Sequence, residues 1–306
     1  MNAIEIRGVT KQFGDVVAVN ALDLTVPPGS IYGFIGPNGS GKTTTIRMIM
    51  DILRPDSGEI RMFGGEAPAA ARSRIGYLPE ERGLYKRMTV RQVLQYYGRL
   101  KGRPPADLEQ SIREWLRRLE LSDWADKRVQ TLSKGMSQKV QFISAVVAQP
   151  ELLILDEPFS GLDPVNADVL RDAILSLRQH NTTIVFSTHD MTAAERLCDR
   201  VFMIFKGRKV LDGTLDEIHQ KYGQDIVRIR LSSNAAATLS RMTGVESLTD
   251  HGNYQDVRLN TDPQTFLRTL ASQTTIQQFE ITKPSLHDLF VRIARPTTEE
   301  LLSDRT

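Results

Sequence analysis

Cysteine is almost missing from this chain. Cys198 is the only one among 306 residues, so no intrachain disulfide can form, which suits a reducing compartment without requiring one. Long apolar runs are missing too. No stretch approaches the about 18 consecutive apolar residues of a membrane-spanning helix, so the chain is not expected to cross a membrane itself. Residues 1–7 lack the basic start and apolar run of a secretory signal. Net charge is small. With 39 Lys and Arg against 37 Asp and Glu the balance is +2, which gives no global pull toward nucleic acid. Neither an internal repeat nor a heptad pattern appears, which argues against two copies of one unit in the chain and against a long coiled-coil arm. The length is enough for about two domains with a real core.

What is present begins with a loop. Gly36-Pro37-Asn38-Gly39-Ser40-Gly41-Lys42-Thr43 follows the apolar run Ile31-Tyr32-Gly33-Phe34-Ile35, which reads as a strand buried on both faces. A helix is predicted over 44–53. Strand, glycine-rich loop and helix together make a phosphate-binding loop. The glycines let backbone amides wrap an anion, and the helix turns its positive end toward it. Lys42 is expected on the β- and γ-phosphates of ATP, and Thr43 is expected to place its hydroxyl on Mg²⁺. Gly36 to Gly41 and Thr44 complete the expected ATP cradle.

Alternating apolar residues predict half-buried strands at Ile4 and Ile6 and at Leu22, Leu24 and Val26. A short strand is predicted over 58–65. From about 83 to 150 the pattern turns helical. Thr89 is a candidate cap; Leu108, Ile112, Trp115, Leu116 and Leu119 fall at helical spacing, and a further helix starts at Ser133. Strands over 152–155, 183–187 and 201–205, with a helix over 165–180, argue for a parallel sheet. Past 222 the pattern becomes a small α+β unit, with strands near 227–231, 245–248, 254–259 and 275–281 and helices over 235–242, 263–271 and 285–294. A split β-α-β sandwich fits that order. Residues 297–306 are polar and are expected to be a disordered tail. Cys198, Trp115 and Trp124 read as packing residues.

The phosphate loop, Leu132-Ser133-Lys134-Gly135, and the strand Leu152-Leu153-Ile154-Leu155-Asp156-Glu157 occur in that order, with Asp156 lying 23 residues after Ser133. This set resembles the ATP-binding cassette (ABC) ATPases over residues 4–222. The resemblance implies an α/β P-loop NTPase cassette over 1–221, with a mixed sheet core and a helical subdomain over 83–150. The small α+β accessory domain then covers 222–296. It implies that Asp156 is associated with Mg²⁺ and that Glu157 is the base for the attacking water. His189, 32 residues after Glu157, would touch the γ-phosphate and that water. Ser133 and Gly135 would meet ATP held by the opposite subunit of a homodimer or heterodimer. Ser160, Gly161, Leu162 and Asp163 match the dimer-contact loop.

Four positions depart from the family pattern or stay open. Lys134 and Met136 replace the first glycine and the glutamine of the Leu-Ser-Gly-Gly-Gln consensus. Glu80 stands where the family carries a glutamine that ligates Mg²⁺; a carboxylate keeps that role while adding charge near the γ-phosphate. Phe13 resembles the aromatic that stacks on adenine, with core packing as the other reading. The motif from Tyr77 to Tyr85 and the end Lys283-Pro284-Ser285-Leu286-His287-Asp288-Leu289-Phe290 resemble the sodium-extrusion and drug-export branch. The implied protein is an ATP-hydrolysing subunit, peripheral on the cytoplasmic face of the inner membrane. It would drive a separate transmembrane permease, with no nucleic acid bound. The alternatives are a soluble ABC ATPase acting on nucleic acid or ribosomes, or a low-turnover ATP-binding regulatory module.

Overall fold

The structure, a computed structural model, describes residues 1–81, 83–222, 226–232 and 235–294. The tail expected over 297–306 lies outside the described residues. The chain divides into compact units Met1–Thr214 and Leu215–Arg295.

In the first unit, β1 (Ile4–Phe13) pairs antiparallel with β2 (Val16–Val26), from Ile4 opposite Val26 to Phe13 opposite Val16. Then come β3 (Ile31–Ile35), every residue buried, and helix α1 (Lys42–Ile49), with the phosphate loop between them. β4 (Ser57–Met62) pairs with the other side of β1 and completes a three-stranded sheet. The short helix α2 (Pro68–Ala71) precedes β5 (Ile75–Leu78). Three helices follow: α3 (Val90–Leu100), α4 (Pro105–Arg118) and α5 (Lys134–Val146). Thr89 caps α3 in a capping box with Gln92, as its side chain allows. Trp115 of α4 packs edge-on against Phe142 of α5, with centroids 5.7 Å apart, so it is a packing residue of this helical segment.

The unit closes with β6 (Leu152–Asp156), α6 (Pro164–Gln179), β7 (Thr183–Thr188), α7 (Met191–Leu197), β8 (Arg200–Phe205) and β9 (Arg208–Thr214). The central sheet runs β5-β6-β7-β3-β8-β9, parallel except for the antiparallel edge pair β8–β9. Side chains of both sheets, among them Ile4, Leu22, Phe34, Ile154, Val185 and Phe202, share one core. Cys198 is buried, and its sulfur would lie 2.7 Å from a Cβ placed on Gly33; burial also pushes its thiol well above the ordinary range. It packs, as expected.

Parallel register decides where the site falls. Ile35 lies opposite Thr188, and Asp156 opposite Ser187. The carboxyl ends of β3, β6 and β7 therefore converge, at the sheet edge where ligands of open α/β sheets bind.

Some elements differ from expectation. α1 ends at Ile49 rather than 53, because Asp51 takes a left-handed φ of 54° and the chain turns there. β9 carries the weakly patterned stretch Arg208-Lys209-Val210 and owes its place to a turn with positive φ at Lys206 (49°) and Gly207 (71°), the geometry of a tight hairpin.

The second unit holds α8 (Leu215–Tyr222), β10 (Ile226–Leu231), α9 (Ala235–Leu239), β11 (Val245–Asp250), β12 (Gln255–Leu259), α10 (Pro263–Gln273), β13 (Ile276–Thr282) and α11 (Leu286–Ala294). Its antiparallel order β11-β12-β10-β13 is that of a split β-α-β sandwich. Val227, Ile229, Val257, Phe266 and Leu270 form a separate core. Phe266→Ala is therefore expected to destabilise this unit by about 3–5 kcal/mol. Calorimetry should show a transition moved to lower temperature, while titration with a fluorescent ATP analogue gives wild-type affinity.

Candidate active site

The phosphate loop is shaped by what its glycines avoid. A Cβ on Gly36 would lie 2.2 Å from the Ile204 carbonyl oxygen, and one on Gly41 would lie 2.5 Å from that of Ala18. Gly41 also sits at φ 111° just ahead of α1, a backbone state that side chains disfavour. The β8–β9 turn supports the loop, since the Gly207 amide donates to the Ser40 carbonyl at 3.0 Å. Lys42 is buried, and its Nζ donates back to the Gly36 carbonyl (2.5 Å) and the Pro37 carbonyl (3.0 Å). The loop thus holds its own cation in place. The Ser40 hydroxyl is buried with no hydrogen-bond partner.

Asp156 ends β6 and is 1% exposed, yet neither carboxylate oxygen has a hydrogen-bond partner. Burial raises its carboxyl above the ordinary range; the nearby Ser187 hydroxyl opposes the rise, the Glu80 charge adds to it, and Thr43 and Lys42 lower it. These influences place the phosphate loop and Glu80 around one carboxylate. A buried acid without a partner is costly, and a hard divalent cation is its natural complement. The Thr43 hydroxyl beside Asp156 supplies a second oxygen of the right kind, so the residues present fit Mg²⁺. Glu80, just past β5, is exposed.

Glu157 is held differently. Its backbone takes φ 49°, unusual for a non-glycine residue, and its amide donates to the Ser187 carbonyl at 3.0 Å. Oε1 lies 2.8 Å from the His189 backbone nitrogen and 2.8 Å from His189 Nδ1, and Oε2 accepts from the Thr188 hydroxyl at 3.2 Å. With Nδ1 donating to Glu157, Nε2 of His189 is left for another group. The strained backbone and the three donors fix the carboxylate beside the end of β7.

Ser133 caps α5, its hydroxyl accepting from the Met136 amide at 3.2 Å. A Cβ at Gly135 would lie 3.5 Å from the Asn166 side-chain nitrogen and 3.6 Å from a Leu162 methyl. The Ser133–Gly135 turn and the Ser160–Asp163 loop of one chain therefore adjoin. Asp163 caps α6 by accepting from the Asn166 amide at 3.0 Å. Phe13, at the end of β1, is 48% exposed with Lys11 Nζ 5.5 Å from its ring centroid; the core-packing reading of Phe13 does not hold.

Two residues escape sequence reasoning. Gln138 and Gln141 lie on α5, 2% and 4% exposed. Gln138 donates to the Pro158 carbonyl at 3.0 Å, and Gln141 to the carbonyls of Pro79 (3.3 Å) and Glu81 (3.1 Å). No local pattern marks them, since Lys139 between them is buried as well and their partners lie in other loops.

Known proteins agree with this architecture. The ABC transporter family model matches residues 19–160, and the model of the C-terminal domain of DrrA1-3-like ATP-binding proteins matches 213–294. An AAA-domain model (putative AbiEii toxin, Type IV TA system) also matches, over 126–195. The uncharacterized ABC transporter ATP-binding protein YhaQ of Bacillus subtilis is 41% identical over 290 residues, covering 94% of this chain and 97% of that protein. The Nod factor export ATP-binding protein I of Sinorhizobium fredii is 35% identical over 303 residues, covering 95% and 85%. A solved structure of an ATP-binding subunit of an ABC transporter superposes with a TM-score of 0.68 at 30% identity, over 72% of this chain and 93% of that one. The chain belongs to the ATP-binding subunits of ABC transporters, and it carries a DrrA-like C-terminal domain. It is an ATPase of that family.

The partnerless Asp156 generates a test. Its raised value means that the native state binds the proton more tightly than the unfolded chain; ionisation at higher pH therefore works against the native state. Without nucleotide and Mg²⁺, Asp156→Asn should raise the melting temperature at pH 8. The gain should shrink as pH falls toward the ordinary carboxyl range. Thermal denaturation across pH checks it; an equal gain at all pH values would contradict the cause given.

Proposed function

We propose that the chain is the motor subunit of an exporter, peripheral on the cytoplasmic face of the cell membrane and coupled to a separate membrane permease. The observation that carries the catalytic part is the pairing of Glu157 with His189 beside the unsatisfied Asp156, at the mouth of the phosphate loop. ATP binds with its phosphates on residues 36–44 and Lys42, and its adenine against Phe13. Thr43, Asp156 and Glu80 would hold Mg²⁺, which would supply positive charge against the phosphate oxygens. Glu157 takes the proton of the attacking water, with His189 Nε2 at the γ-phosphate. Ser133 and Gly135 close on the ATP of a second cassette, and the adjoining Ser160–Asp163 loop meets that subunit.

The export direction is supported by the Nod factor export relative, which aligns along nearly the whole chain, and by the DrrA-like C-terminal domain. No helix among the described residues is long and apolar enough to cross a membrane. The helical segment offers a surface for the permease. The exposed Tyr85 and Tyr96 pack with centroids 5.4 Å apart and against the half-buried Tyr97, and Leu100 is 64% exposed beside them. Apolar and aromatic groups exposed together mark interaction sites.

Glu157→Gln should bind ATP and lose about 10²–10⁴-fold in turnover, because an amide cannot take the proton. Phosphate release and size-exclusion chromatography with ATP measure both, the second showing a trapped dimer. Unchanged turnover would remove Glu157 from the role of base. Lys42→Ala should lose ATP affinity by about tenfold or more, since a charge-assisted contact to the phosphates disappears. A folded variant with wild-type affinity in fluorescent-nucleotide titration would contradict the assignment.

A further inference from the structure

Helix α5 reaches the Mg²⁺ side of the site from within. Gln141 is 4% exposed, and its Nε2 donates to the carbonyls of Pro79 and Glu81 at 3.3 and 3.1 Å. Those carbonyls flank Glu80 on either side. Fixing both fixes the backbone from which the Glu80 side chain departs. The loop lies beyond the last residue of β5, Leu78, and Glu80 itself is exposed, so the sheet does not position this carboxylate.

The amide's orientation is forced. Turned over, Gln141 would set its own oxygen against two carbonyl oxygens, all acceptors. In the orientation present, Oε1 is buried without a partner. An apolar residue would fill this buried helix position with no orphaned atom. The glutamine accepts that penalty and in return donates to both sides of Glu80. Gln138, one turn earlier, grips the Pro158 carbonyl next to Glu157. Its bond belongs to a different loop, which makes it an internal control.

We propose that Gln141 is a positioning residue for Glu80: it holds the loop so that the carboxylate meets Mg²⁺, and it ties that loop to the helix that begins at Ser133. The inference rests on the reading of Glu80 as a Mg²⁺ ligand. Ser133 and Gln141 stand eight positions apart on the sequence, about 12 Å along a helix. A shift of α5 when its capped end meets a phosphate therefore moves the Glu80 loop with it.

The test uses the full chain with Gln141→Met, which keeps the volume and removes the donor, and Gln141→Leu as a second apolar variant. Amide exchange over residues 78–81, measured without nucleotide or Mg²⁺, reads the tether directly and should speed up in both. The Mg²⁺ concentration for half-maximal ATP hydrolysis is then compared among wild type, Glu80→Gln, Gln141→Met and the double variant. Gln141→Met should move it in the same direction as Glu80→Gln, by about 3- to 10-fold, the scale of one or two lost hydrogen bonds. The double variant should go no further than the larger single effect. Gln138→Met combined with Glu80→Gln should instead be additive.

Unchanged exchange overturns the tether. Faster exchange with an unmoved Mg²⁺ response, while Glu80→Gln does move it, overturns the inference alone. No response in Glu80→Gln overturns the Glu80 reading and the inference with it. Additive effects of Gln141→Met, or equal coupling of Gln138→Met, show general loosening of α5 and overturn the specific role.

Discussion

The site depends on a carboxylate that the fold buries and leaves without a partner. Asp156 is the last residue of a wholly buried strand, so the sheet that makes the core also delivers an acid to its edge. Most buried charges are paired within the protein. This one has the Ser187 and Thr43 hydroxyls and the Lys42 ammonium near it, yet no hydrogen bond satisfies its oxygens. The apolar strand that stabilises the unit thus also delivers the partnerless carboxylate, and the two cannot be separated by moving the residue one position along a strand.

Glu157, the next residue, shows how one change of backbone direction divides two acids into two environments. Extended backbone leaves Asp156 facing the phosphate loop. The left-handed φ of 49° at Glu157 turns the chain so that its carboxylate meets Thr188 and His189. Strain of this kind needs surrounding structure to hold it, and here the Ser187 carbonyl and the His189 amide do so. Both acids are thereby held in different hydrogen-bonding states although adjacent in sequence.

Much of this was legible in the sequence for a plain reason: local chemistry forced it. The glycines of 36–41 announce a loop in which side chains have no room, and the apolar runs at 31–35 and 152–155 announce strands covered on both faces. Thr89 and Ser133 announce helix starts, and both cap as their side chains allow. What stayed hidden was set by distant partners. The antiparallel strand β9 shows little alternation and is held by β8 across a tight turn. The exposure of Phe13 depends on what lies over the end of β1, which no local pattern states. Gln141 looks like an ordinary polar helix residue until the Pro79 and Glu81 carbonyls come into reach from more than fifty positions away.

These distant contacts give α5 a particular place in the unit. Its first turn is a capped helix start that adjoins Leu162 and Asn166, its middle carries amides reaching the loops after β5 and β6, and its apolar face packs on Trp115 of α4. A helix is stiff along its axis, so displacement at one end is transmitted to contacts at the other. Hydrogen bonds from buried amides suit that purpose better than apolar contact. An apolar surface slides at small cost, whereas a donor aimed at a specific carbonyl loses its bond within about an ångström of misalignment. The two glutamines therefore act as directional links on a stiff rod, and the rod joins the Ser133 turn to both acid-bearing loops.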